Sequence, residues 1–94
     1  VMQYFGREIN METINVLMID DICSRGGTFF HSAKKLKSLG FDNIDAYCTH
    51  AEPVVNDETS DIYVALNGKL INKLYTTDSL LQNTENKNII IYHV

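Results

Sequence analysis

The stretch VLMIDDICSRGGT, residues 16–28, decides how this chain is read. Four apolar residues, Val16, Leu17, Met18 and Ile19, run without alternation into two adjacent aspartates, Asp20 and Asp21. A continuous apolar run of this kind reads as a β-strand covered on both faces, as in a parallel sheet. Cys23, Ser24, Arg25, Gly26, Gly27 and Thr28 then form a loop of glycines and hydroxyls. From Thr28 the period changes. Phe29, Ala33, Leu36 and Leu39 fall at i, i+4, i+7 and i+10, one face of a helix. Lys34, Lys35 and Lys37 occupy the other side, toward the end that a helix dipole makes negative. Gly40 stops the helix as a residue just past its C-cap would.

Working outward, residues 44–49 read as a second strand. Residues 16–49 then have the size of one βαβ unit, about thirty residues. Its crossover is expected to be right-handed and its strands parallel. Residues 50–57 read as a loop around Pro53. Thr59 is the expected cap of a short helix over residues 60–66, ended by Asn67 and Gly68. Residues 71–76 and 88–92 read as a third and a fourth strand, separated by a polar loop over 78–87. Residues 2–5 read as a strand or half of a hairpin. The predicted fold class is α/β, one domain over residues 1–94, with a mainly parallel sheet and flanking helices. In such sheets ligands bind beyond the carboxyl ends of the strands, where Asp20 and Asp21 stand.

The bulk properties narrow the function. A net charge of −4 over 94 residues disfavours a nucleic-acid or membrane-surface binder, which needs a basic face. No apolar run approaches the length of a membrane span, and the first thirteen residues lack a signal-peptide pattern. Two cysteines, Cys23 and Cys48, make neither a disulfide framework nor a metal spacing. The expectation is a soluble, reduced, cytoplasmic domain with no nucleic acid and no membrane among its partners.

The loop after the first strand leads into a helix N-terminus. The first helical N–H groups have no intrahelical acceptors and carry positive partial charge, so a phosphate placed there collects several hydrogen bonds. Glycine lets the backbone approach the anion, and Ser24 and Thr28 add hydroxyl donors. The pattern is not a Walker loop, because no lysine follows the second glycine, and its glycine spacing is not the dinucleotide fingerprint. The aspartates would repel phosphate and so face another part of the ligand. A carboxylate accepts well from a vicinal diol. A phosphate at one end and hydroxyls at the other describe a phosphorylated sugar, and the stretch reads as a ribose-5-phosphate cradle. Magnesium is expected nearby, since it binds through few carboxylates together with substrate oxygens.

At this point the stretch resembles a known signature. It looks like the phosphoribosyl-diphosphate (PRPP) motif shared by type I phosphoribosyltransferases and ribose-phosphate pyrophosphokinases. The resemblance implies a phosphoribosyltransferase-like, three-layer fold. It implies that Asp20 and Asp21 hold the ribose hydroxyls and that Cys23, Ser24, Arg25, Gly26, Gly27 and Thr28 wrap the 5′-phosphate of ribose 5-phosphate or PRPP. The DDICSRGGT wording, with Tyr47-Cys48-Thr49-His50-Ala51 after the helix, is closer to the pyrophosphokinases. Leu74-Tyr75-Thr76-Thr77-Asp78-Ser79 resembles that family's strand end, and the closing IIIYHV its last strand. His50 and Asp78 are thereby further site candidates. Glu52-Pro53-Val54 departs from the pattern, where small residues and a glycine are usual.

The implied reaction is attack of the ribose 5-phosphate 1-hydroxyl on the β-phosphorus of Mg-ATP. The family's chains are about three times this length, and their ATP-binding residues lie mostly in the N-terminal half. The expectation is therefore a C-terminal domain of a longer, homo-oligomeric enzyme, inactive by itself and catalytic only with the part that binds ATP. Three rivals compete. A phosphoribosyltransferase would pass phosphoribose from PRPP to a base. A non-catalytic regulatory homologue would keep the loop without the activity. A response-regulator receiver would also open with an apolar strand and two aspartates. The receiver has no use for CSRGGT, and Asp45 and Asp57 are misplaced as its phospho-acceptor.

Overall fold

The computed structural model describes the backbone of residues 2–4, 7–9 and 13–94, and the side chains of residues 13–94. Strand β1 (Met2–Tyr4) pairs antiparallel with β2 (Arg7–Ile9) as a small hairpin. The expectation of a strand or half-hairpin is met by Met2–Tyr4, while Phe5 lies outside the described residues.

The rest is a βαβαββ chain: β3 (Asn15–Cys23), α1 (Gly27–Ser38), β4 (Asn43–Ala51), a 3-10 turn (Pro53–Asn56), α2 (Asp61–Asn67), β5 (Leu74–Thr77) and β6 (Ile89–Tyr92). The four strands form one parallel sheet in the order β3-β4-β5-β6. Asn15 pairs with Asn43 and Cys23 with Ala51, so β3 and β4 are in register along their whole length. The α/β class, the parallel sheet and the βαβ unit stand as read from the apolar pattern. Among the described residues, no helix is long and apolar enough to cross a membrane.

Helix α1 ends as the sequence requires: Leu39 is its C-cap and Gly40 follows at φ +103°. Phe29 and Ala33 are buried and Leu36 packs on them, but Leu39, expected on the same stripe, is 52% exposed. Phe30 takes a place against the core instead. Helix α2 starts one residue later than expected. Ser60, not Thr59, is its cap, and its hydroxyl accepts from the Tyr63 N–H. His50 and Ala51 belong to β4 rather than to a loop.

One correction concerns the sheet. Ile44, Ala46 and Cys48 of β4 share one buried core with Phe29 and Ala33 of α1 and Ile62, Ala65 and Leu66 of α2. Both helices therefore cover the same face. On the other face Leu17 is 53% and Ile19 72% exposed. The apolar run of β3 reads as doubly covered, yet among the described residues β3 is an edge strand with one open face. Two of the three layers implied by the resemblance, helices and sheet, are present among the described residues.

Candidate functional site

The two glycines of the loop answer to different neighbours. Gly26 is the N-cap of α1 and sits at φ +85°, in the left-handed region. A Cβ there would lie 2.5 Å from the Cβ of Ile62. Only glycine satisfies both the backbone angle and the approach of α2. A Cβ on Gly27 would lie 3.2 Å from the Asp61 carboxylate, so the loop lies against the head of α2 at two successive residues. The Ile62 N–H donates to the Arg25 carbonyl at 2.8 Å, and the Phe30 N–H donates to the Gly26 carbonyl at 2.9 Å.

This fold of the loop leaves a cavity of about 300 Å³ at the carboxyl end of β3. That is the size of a small-ligand site. Its wall is made by Asp20, Ile22, Cys23, Ser24, Arg25, Gly26, Gly27, Thr28 and Phe29. No side chain caps α1, and no acidic residue stands in its first turn. The positive end of a twelve-residue helix thus has no side-chain cap, although the Asp61 carboxylate stands beside its first residue, Gly27.

Asp20 contributes to the same wall as the glycines, and its Oδ1 accepts a hydrogen bond from the Asp21 N–H at 2.7 Å. Asp21 is not on the wall. Along β3, Val16 and Met18 pack on the core while Leu17 and Ile19 face out. The alternation lapses from Ile19 to Ile22, which are all exposed, before Cys23 returns to the core. Both aspartates are exposed. Of the two, only Asp20 could join ligand oxygens around a metal in the cavity. The described residues contain no group of three or more His, Cys, Asp or Glu placed to hold one by themselves.

Cys23 gives the cavity its backbone only, because its side chain is buried in the core. Hydrogen bonding to Cys48 and burial push its thiol up from the ordinary value, which disfavours the thiolate. The Arg25 guanidinium turns to the start of α2, where Nη2 donates to the Thr59 carbonyl at 2.8 Å and to its hydroxyl at 3.3 Å. Thr59 is itself held by Asp57, whose Oδ1 accepts from the Thr59 N–H and hydroxyl, each at 2.8 Å. These two bonds, with the nearby charge of Arg25, hold the Asp57 carboxyl below its usual range. Nothing in the spacing of Asp57, Thr59 and Ile62 announces a relation to a loop some 34 residues earlier.

His50 and Asp78 lie at neighbouring strand ends but outside this wall. His50 Nδ1 is 2.7 Å from the Ser79 hydroxyl. Asp78 is bonded to His93 Nδ1 at 3.2 Å and accepts from the Val94 N–H at 3.3 Å.

No family model matches the chain. Two proteins named ribose-phosphate pyrophosphokinase are similar to it. One, from Marinomonas sp. (strain MWYL1), is 31% identical over 71 residues, covering 76% of this chain and 21% of that protein. The other, from Methanobrevibacter smithii, is 38% identical over 78 residues, covering 73% of this chain and 24% of that protein. The chain spans about a fifth to a quarter of the length of the curated relatives it matches. Across roughly three quarters of its residues, it is related in sequence to the ribose-phosphate pyrophosphokinases.

Proposed function

We propose that this chain is the ribose-5-phosphate- and PRPP-binding part of a ribose-phosphate pyrophosphokinase. One observation supports the reading: the signature stretch lines a single cavity to which both the Asp20 carboxylate and an uncapped helix N-terminus contribute. The backbone N–H groups from Ser24 to Thr28 and the Ser24 and Thr28 hydroxyls hold the 5′-phosphate. Asp20 accepts from the ribose hydroxyls, and Asp21 supplies a second carboxylate at the rim. The names of the two relatives favour the pyrophosphokinase over the phosphoribosyltransferase branch.

In the whole enzyme, the 1-hydroxyl of ribose 5-phosphate attacks the β-phosphorus of ATP and AMP leaves, giving PRPP. This chain holds the acceptor sugar at both ends, so its part is proximity and orientation. Magnesium bound through Asp20 together with ligand oxygens would neutralise phosphate charge. ATP is bound by residues outside this chain, and the chain alone transfers no pyrophosphate.

The test is an amide NMR titration of the chain with ribose 5-phosphate, with and without magnesium. Selective shifts at residues 24–28, weakened by Asp20→Asn, are expected. A folded chain that shows no such shifts at millimolar sugar phosphate would overturn the reading.

A further inference from the structure

We infer that Arg25 is a positioning residue: its guanidinium clamps the phosphate loop to the Asp57–Thr59 turn, and this clamp shapes the loop before ligand arrives. The inference rests on the sugar-phosphate reading of the cavity. An arginine beside an anion cradle would ordinarily be assigned to the anion. Here one guanidinium nitrogen, Nη2, already donates to the carbonyl and hydroxyl of Thr59 at 2.8 and 3.3 Å.

The hydrogen-bond directions are consistent along the chain of contacts. The Thr59 hydroxyl has one proton, and it donates that proton to Asp57 Oδ1 at 2.8 Å. Its lone pairs are then free to accept from Arg25. The Thr59 N–H, bonded to the same carboxylate oxygen at 2.8 Å, fixes the turn that presents the carbonyl. Arg25 is held at its other end too, since its own carbonyl accepts from the Ile62 N–H at 2.8 Å. The next residue, Gly26, meets the Ile62 side chain directly. The loop is thus tied to the start of α2 by its side chain, its backbone and its packing. Breaking the side-chain tie frees the segment whose N–H groups must converge on the anion.

Four variants test this: Arg25→Met, Thr59→Val, Asp57→Ala and Thr59→Ser, with ribose 5-phosphate as ligand and NMR as readout. Arg25→Met is expected to weaken binding about tenfold, because the loop must then be ordered when ligand binds. Thr59→Val and Asp57→Ala are expected to weaken it in the same direction. The Arg25→Met/Asp57→Ala double variant should be no weaker than Arg25→Met, because both break one clamp. Thr59→Ser keeps the hydroxyl and should restore wild-type binding. In ligand-free protein, Arg25→Met and Thr59→Val should move the same amides, those of residues 26–28, while the melting temperature changes little.

Loss of binding in Arg25→Met with Thr59→Val and Asp57→Ala unaffected would make Arg25 a direct phosphate ligand and overturn the clamp. Wild-type binding in Arg25→Met would overturn it equally. If the wild-type chain binds no ribose 5-phosphate, the sugar-phosphate reading fails by itself. The clamp is then judged on amide exchange at residues 26–28: faster exchange in both variants supports it, and unchanged exchange sinks it.

Discussion

The backbone of Gly26 touches the side chain of Ile62 so closely that a methyl group on Gly26 would sit 2.5 Å from the Ile62 Cβ. The same glycine is at φ +85°. Gly26→Ala therefore meets two penalties, left-handed strain and overpacking, which together are worth about 2–4 kcal/mol. Urea unfolding should show that loss, and the variant should bind ribose 5-phosphate poorly even where it remains folded. A Gly26→Ala protein as stable as wild type would mean that α2 can retreat from the loop.

Asp20 and the glycine loop line one cavity, and the sugar and phosphate ends of a ligand can be probed separately. Asp20→Asn removes charge at an exposed position and should leave stability within about 0.5 kcal/mol. Ribose 5-phosphate should bind about tenfold more weakly. Inorganic phosphate should bind no worse, and the loss of a nearby negative charge favours it. Equal losses for both ligands would place Asp20 on the phosphate instead.

Asp57 gives the clamp a pH dependence whose sign is set by its lowered carboxyl. A carboxyl that is more acidic folded than unfolded stabilises the fold above its unfolded value, about 3.9. That contribution fades as pH falls through the lower folded value. The loop should therefore be fully clamped at neutral pH and loosen only in acid, below about pH 4. Following the Thr59 amide shift against pH gives the titration directly. In Asp57→Ala that shift should lose its acid transition.

The two faces of the sheet should respond in opposite ways to substitution. Ile44 is fully buried beneath the helices, and Ile44→Ala should cost about 2–5 kcal/mol by urea unfolding. Ile19, 72% exposed on the open face, should tolerate Ile19→Lys within about 0.5 kcal/mol. The lysine should also reduce binding of a hydrophobic dye and slow aggregation, since it interrupts an apolar patch on an edge strand. A large loss at Ile19 would mean that this face is covered in solution.

Much of this protein follows from local rules that its sequence states by itself. The apolar run of Val16, Leu17, Met18 and Ile19, the helical spacing of Phe29, Ala33 and Leu36, and the stop at Gly40 define a strand, a loop and a helix. Each depends on bonds and angles within a few residues, as does the exposure of helix N–H groups to an anion. Ser24, Gly26, Gly27, Thr28 and Asp20 were legible as one cradle for that reason. What depends on residues far apart was decided only by the tertiary structure. Whether Ile19 is covered is a question of how many layers the sheet carries, and an apolar run reads the same on an edge strand. Asp20 and Asp21 are adjacent in sequence, but only Asp20 lines the cavity. Arg25 finds its partner in Thr59, across 34 residues, because α2 packs its first turn on Gly26. No periodicity encodes a contact of that kind. It arises from the close packing of Ile62 on a residue without a side chain.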